Sequence, residues 1–152
     1  MAMQGLSVFD KTVQQTELWV SEVAKELGEA DKHCAFQGLR VTLHVLRDRM
    51  NLGEAANLGS QLPILLSGFY FENWKPEKNA TNKERTKEGF LNQIREQMQQ
   101  FFKNDGADVD AEKLARAVFK VLANHVSPGE AQNVVHNMPS DVKELFPQEI
   151  RA

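Results

Sequence analysis

Thirteen residues beginning at Asn51, NLGEAANLGSQLP, are written again beginning at Ser127 as SPGEAQNVVHNMP, with Gly-Glu-Ala, Asn and Pro in step. The register runs well beyond these stretches. Residues 35–71 align on 111–147 without a gap, and nine of the 37 positions are identical. They are Ala35/Ala111, Arg40/Arg116, Val45/Val121, Leu46/Leu122, Gly53/Gly129, Glu54/Glu130, Ala55/Ala131, Asn57/Asn133 and Pro63/Pro139. Unrelated segments of ordinary composition would share about two. A chain that repeats itself at this length must fold as two similar blocks. Blocks this small cannot easily bury their apolar faces alone, so they are expected to pack on each other.

The spacing of apolar residues says what each block is made of. Val13, Thr16, Val20, Val23 and Leu27 step by three and four, which makes one stripe on a helix of about four turns, with Gly28 as its stop. Phe36, Leu39, Leu43, Leu46 and Met50 make a second helix, with Asp31 as its N-cap. Asn51 and Glu54, and likewise Ser127 and Glu130, have the spacing of a capping box, so the repeated motif is first a helix start. Pro63 and Pro139 disfavour helical angles at Leu62 and Met138, so each short helix ends there and a further one restarts. In the second block, Phe90, Ile94, Met98 and Phe101 continue the pattern. Trp19, Val23 and Leu27 match Phe90, Ile94 and Met98 at an offset of 71, so the second block carries about five extra residues in NDGADVD.

The expected architecture is therefore all-α, with about eight helices in two similar four-helix repeats packed with pseudo-twofold symmetry. The first repeat spans 1–74, a polar linker 75–88, and the second repeat 89–152. Expected core residues are Trp19, Val23, Leu27, Leu39, Leu43, Leu46, Leu58, Leu62, Phe90, Ile94, Phe119, Leu122, Val134 and Leu145.

Composition narrows the function classes. The chain has 152 residues and a single cysteine, which precludes an intrachain disulfide and suits a reducing, cytoplasmic setting. The first residues lack the basic-then-apolar pattern of a secretory leader. No apolar run is long enough to span a bilayer. A net charge of −3 with both signs interspersed argues against a dedicated nucleic-acid or anionic-membrane binder.

The segments TELWVSEVAKELG, LRVTLHVLRDRMNLGEAANLGSQLPILLSGFYFENWKP and ARAVFKVLANHVSPGEAQNVVHNMPSDVKELF together resemble the prokaryotic family called domain of unknown function 2267. The resemblance covers essentially the whole chain. It implies a helical protein and brings no catalytic residues or cofactor with it.

Residues that could carry chemistry each have a plain structural reading beside the functional one. Arg40 and Arg116 recur with Glu54 and Glu130, either as twin charged sites or as braces of an arginine on the neighbouring helix start; the brace is preferred. Arg40, His44 and Arg47 share a helix face, and Lys120 stands where His44 does, so this face is either a partner-binding surface or a solvated one. Tyr70 and Trp74, in the aromatic cluster ending the first repeat, are packing residues or the lining of an acquired site. His33, Cys34 and His44 have no metal-ligand spacing, and Cys34 has no base beside it. The segment GEAQNVVHNMPSDVKEL has the rhythm of a helix-turn-helix, but Asp141 and Glu144 on its second helix would repel phosphate.

On this reading the chain is a non-enzymatic protein-interaction or adaptor module without cofactor or metal, whose partner is an unidentified protein. The alternatives are a small-molecule or lipid-binding protein with an apolar inter-repeat pocket near Tyr70 and Trp74, and a helix-turn-helix DNA binder.

Overall fold

The computed structural model describes residues 5–29, 31–79, 85–101 and 110–151. Among these the fold is all-helical, with eight α-helices and no strand. In the first block they are α1 (Ser7–Leu27), α2 (Lys32–Arg49), α3 (Leu52–Ser60) and α4 (Ile64–Tyr70). In the second they are α5 (Lys87–Phe101), α6 (Ala111–His125), α7 (Pro128–His136) and α8 (Ser140–Lys143). Two 3₁₀ turns, Pro76–Lys78 and Gln148–Ile150, follow the blocks.

Local chemistry sets the helix ends. Gly28 stops α1 at φ 65°, a left-handed conformation that a side chain would resist. Asp31 caps α2, its carboxylate accepting from the His33 and Cys34 N–H groups. Asn51 and Ser127 cap α3 and α7 by accepting from the N–H groups of Glu54 and Glu130 at 2.9 and 3.1 Å. α1 is longer than its apolar stripe announces. It starts at Ser7, and its first turns are mostly exposed, so no burial pattern marks them.

The second half of each expected capping box is different in the structure. The N–H of Asn51 goes to Asn137 Oδ1 at 3.4 Å, and the N–H of Ser127 goes to Gln61 Oε1 at 3.3 Å. Gln61 and Asn137 are aligned positions of the two blocks. Each short helix is thus started in part by an amide from the end of the other, which frees Glu54 and Glu130 from the reach-back role.

Helix pairings follow the alignment closely. α1 packs on α2 and α5 on α6; α1 also lies on α6, and α2 on α5; α2 crosses α6, and α3 meets α7; α4 closes on α1, and α8 on α5. These pairings are consistent with two packed repeats. The correspondence is incomplete, since α4 also packs on α2 and the last 3₁₀ turn sits on α7. Aligned residues make reciprocal contacts across the blocks. The His125 ring stacks on Trp19 at 4.7 Å, and the Arg49 guanidinium lies 5.7 Å from the centre of the Phe90 ring. At the α2–α6 crossing the aligned pair is Gly38 and Leu114. A Cβ on Gly38 would stand 2.6 Å from a Leu114 methyl, so the missing side chain of one block makes room for the leucine of the other.

One apolar core runs through both blocks. Thirteen of the expected core residues are buried, and Leu27 packs against the core from its edge. The start of the expected linker is docked. Asn79 donates to the Arg47 and Met50 carbonyls at the end of α2 and accepts from the Trp74 indole N–H at 2.8 Å. Residues 80–84, and all of NDGADVD except Asp110, lie outside the described residues.

Candidate functional site

The basic face of α2 turns inward onto the end of α4. The last carbonyls of a helix have no partner within it, and here they find cations. His44 Nε2 meets the Phe69 carbonyl at 2.6 Å, and since a carbonyl only accepts, Nε2 carries the proton. Burial is the leading cause of a lowered His44 pKa, outweighing that hydrogen bond. Arg47 is 4% exposed and donates through Nη1 to the Tyr70 and Glu72 carbonyls at 2.7 and 2.8 Å, and through Nε to Asp48. Arg40 makes a two-pronged pair with Glu72, both contacts 2.7 Å, while its guanidinium lies 5.5 Å from the centres of the Phe69 and Phe101 rings. Arg40, His44 and Arg47 do come together, and they line a polar hollow of about 330 Å³ with Glu72, Gln97 and Gln100. Much of their hydrogen-bonding capacity is spent inside the first block.

In the second block Arg116 does the same work, donating to the Glu144 carbonyl at 2.9 Å, and it pairs with Glu112 on its own helix. Lys120 does not follow His44; it reaches Glu26 on α1 at 3.1 Å. The structure therefore differs from the expected arginine braces: Arg40 and Arg116 meet Glu72 and Glu112, not Glu54 and Glu130. Glu54 and Glu130 instead meet each other where α3 and α7 touch.

Tyr70 is fully buried, and its hydroxyl donates to the Ala55 carbonyl at 2.7 Å. Trp74 packs against the Phe71 ring at 5.4 Å. Neither lines any of the hollows described here. Cys34 is half-buried, with its thiol pushed up by burial and by Glu29 and Asp31, which disfavours the reactive thiolate. Among the described residues no group of three or more His, Cys, Asp or Glu is placed to hold a metal ion.

The apolar surface that sequence spacing did not single out lies between α1, α2 and α4. A groove of about 350 Å³ is lined by Val13, Thr16 and Val20 from α1, Phe36 from α2, and Leu65 and Phe69 from α4. Glu17 stands in its α1 wall, and Lys32 and His33 in its α2 wall. Phe9, one turn before Val13, is 55% exposed and Ile64, beside Leu65, is 73% exposed. α4 is held to α1 by the Leu65 N–H, which donates to Thr12 Oγ1 at 2.8 Å.

The aligned surface of the second block has the opposite character. Phe36, Ile64 and Leu65 become Glu112, Ser140 and Asp141, and Thr16 becomes Lys87. Lys87 pairs with Glu144 and lies 3.8 Å from Glu112, and its N–H donates to Asp141 at 2.8 Å. The hydrogen bond to Glu144 leads the causes that raise the Lys87 pKa. One signal for this difference was present in the sequence: the positions where the two blocks trade an apolar residue for a charged one.

A family model described as "Uncharacterized conserved protein (DUF2267)" matches residues 16–145. The chain belongs to this family. A search of curated proteins finds no match. The DUF2267 match spans both blocks, from the middle of α1 to the residue after Glu144, and so takes in the groove apart from Val13, the α2–α4 clamp and the α3–α7 contact. No helix among the described residues is long and apolar enough to cross a membrane.

Proposed function

We propose that this DUF2267 chain is a non-enzymatic protein-interaction module made of two copies of one helical block, related by an approximate twofold axis. The first copy's groove takes an amphipathic helix of a partner protein. One observation carries the reading: at aligned positions the first block leaves Phe36 and Leu65 lining a groove, with exposed Ile64 beside them, while the second has Glu112, Asp141 and Ser140 and ties Glu112 and Asp141 to Lys87. Packing alone does not demand this difference, because the exposed members add little to the core.

The shape supports a helix as the occupant. Val13, Thr16 and Val20 recur every three or four residues along one side of the groove, a ridge against which the apolar stripe of another helix can lie. The walls carry opposite charges, Glu17 on α1 against Lys32 on α2. A partner helix with a basic flank towards α1 and an acidic flank towards α2 is the complement. The helix-turn-helix alternative is less well supported, because α8 has only four residues and offers a single turn to a DNA groove.

The test is site-specific photocrosslinking in the native host. A photoreactive residue at position 65 should trap one protein through a helical segment, and the same probe at position 141 should not. Equal trapping from both positions, or none from position 65, defeats the proposal. Recovery of an acyl-chain ligand from position 65 in place of a protein replaces it with the small-molecule reading.

A further inference from the structure

Glu54 and Glu130 occupy the same place in the two aligned blocks, and the fold sets them side by side where α3 meets α7. Glu130 is only 3% exposed. Each carboxylate keeps one buried oxygen, Glu54 Oε1 and Glu130 Oε2, without a donor among the described residues. The other oxygen of Glu130 accepts from Asn57 Nδ2 at 2.5 Å. Two ionised carboxylates are acceptors only, so nothing they offer each other can satisfy those two oxygens. A single proton changes that, because one acid then donates to the other and both orphaned atoms are served.

We infer that Glu54 and Glu130 share one proton across the α3–α7 contact, and that losing it loosens this contact, so the joint between the blocks is a pH-sensitive latch. The surroundings favour retention of the proton. α3 contributes Asn57, the one group pulling the other way. α4 contributes Tyr70, itself raised by burial and close enough to feel both carboxylates. On α6, Lys120 and His125 turn away to Glu26 and Glu22 of α1. The 3₁₀ turn on α7 brings Glu149, and α7 itself brings His136. Burial first, then the hydrogen bond and charge of Glu54, push the Glu130 carboxyl up from 4.5 to about 7.

The sign follows from linkage. A carboxyl raised in the folded state binds its proton more tightly there than in the unfolded chain. Its stabilising contribution is complete below about pH 4.5, falls as pH rises to about 7, and is absent above that. This runs opposite to the usual carboxylate, whose contribution disappears in acid.

The experiment follows the side-chain carboxyl carbons of glutamate by ¹³C NMR, and amide exchange of α3 and α7, in the full chain from pH 5 to pH 8.5. Wild type should show one carboxyl titrating near neutrality, and amide protection at Ala55 and Ala131 dropping about tenfold beyond the intrinsic pH effect over the same range. Glu130→Gln keeps a donor for Glu54 without the ionisation, so the neutral titration and the protection loss should both vanish. Glu54→Gln should do the same and serves if Glu130→Gln fails to fold. The inference is overturned if no glutamate titrates above pH 6, or if either folded variant keeps the wild-type protection profile. It is equally overturned if magnesium or calcium at pH 8 restores protection reversibly by chelator, since the pair would then hold a metal ion in place of the proton.

Discussion

The groove side of the first block and the same side of the second differ in how they treat one backbone arrangement. In the first, Thr16, Phe36 and Leu65 leave an open apolar trough. In the second, Lys87, Glu112 and Asp141 stand at the aligned positions, and Lys87 meets both carboxylates, Glu112 through its ammonium and Asp141 through its N–H. The cores below differ in kind as well. The second block centres on Phe119, stacked flat on Phe146 at 4.0 Å and tilted against Phe90 at 6.0 Å, whereas the aligned residues of the first are Leu43, Tyr70 and Trp19, with an aliphatic side chain at the centre. The second block has sealed its surface with charge; the first, whose Trp19 and Tyr70 are buried just as deeply, keeps Phe36 and Phe69 at its rim. Aligned segments with similar helix pairings thus carry surfaces of opposite character.

Three sets of substitutions probe the contrast, in falling order of effect. Phe119→Ala should lower stability by about 4 kcal/mol in urea unfolding, and Leu43→Ala by about 3 kcal/mol. Equal losses would mean that the stacked rings contribute nothing beyond their buried area. Next, Gly38→Leu should cost about 2 kcal/mol by forcing a second leucine against Leu114. Adding Leu114→Gly to that variant should recover part of the loss, because the cavity and the knob have then exchanged blocks; strict additivity of the two losses would remove the reading of this crossing as a matched pair. Smallest is Leu65→Asp, which copies the second block's residue into the first. It should move stability by no more than about 0.5 kcal/mol. A larger loss would make the trough part of the core and not a surface held in reserve.

Much of the fold was legible because it rests on local or periodic signals. The capping residues Asn51 and Ser127, the stop at Gly28 and the buried stripes of α2 and α6 all follow from spacing that any amphipathic helix obeys. The start of α1 was not legible, since its first turns bury little and leave no apolar period to read. The site was harder. The partners of Arg40 and Arg116 depend on where the ends of α4 and α8 come to rest, which no local pattern encodes, and adjacency in the repeated motif suggested Glu54 and Glu130 instead. The meeting of those two glutamates had one clue in the sequence, their identity at aligned positions of the two segments. Arg40, His44 and Arg47 share a face as read, but that face is occupied with closing the end of α4.

The crossed amides at the starts of α3 and α7 have a consequence for the integrity of the chain. The N–H of Asn51 is met by Asn137, and that of Ser127 by Gln61, so each short helix loses part of its start in a fragment that lacks the other. A protease cut between the blocks should therefore leave a complex that stays together and melts in one step, much as two hands remain clasped after the arms are parted.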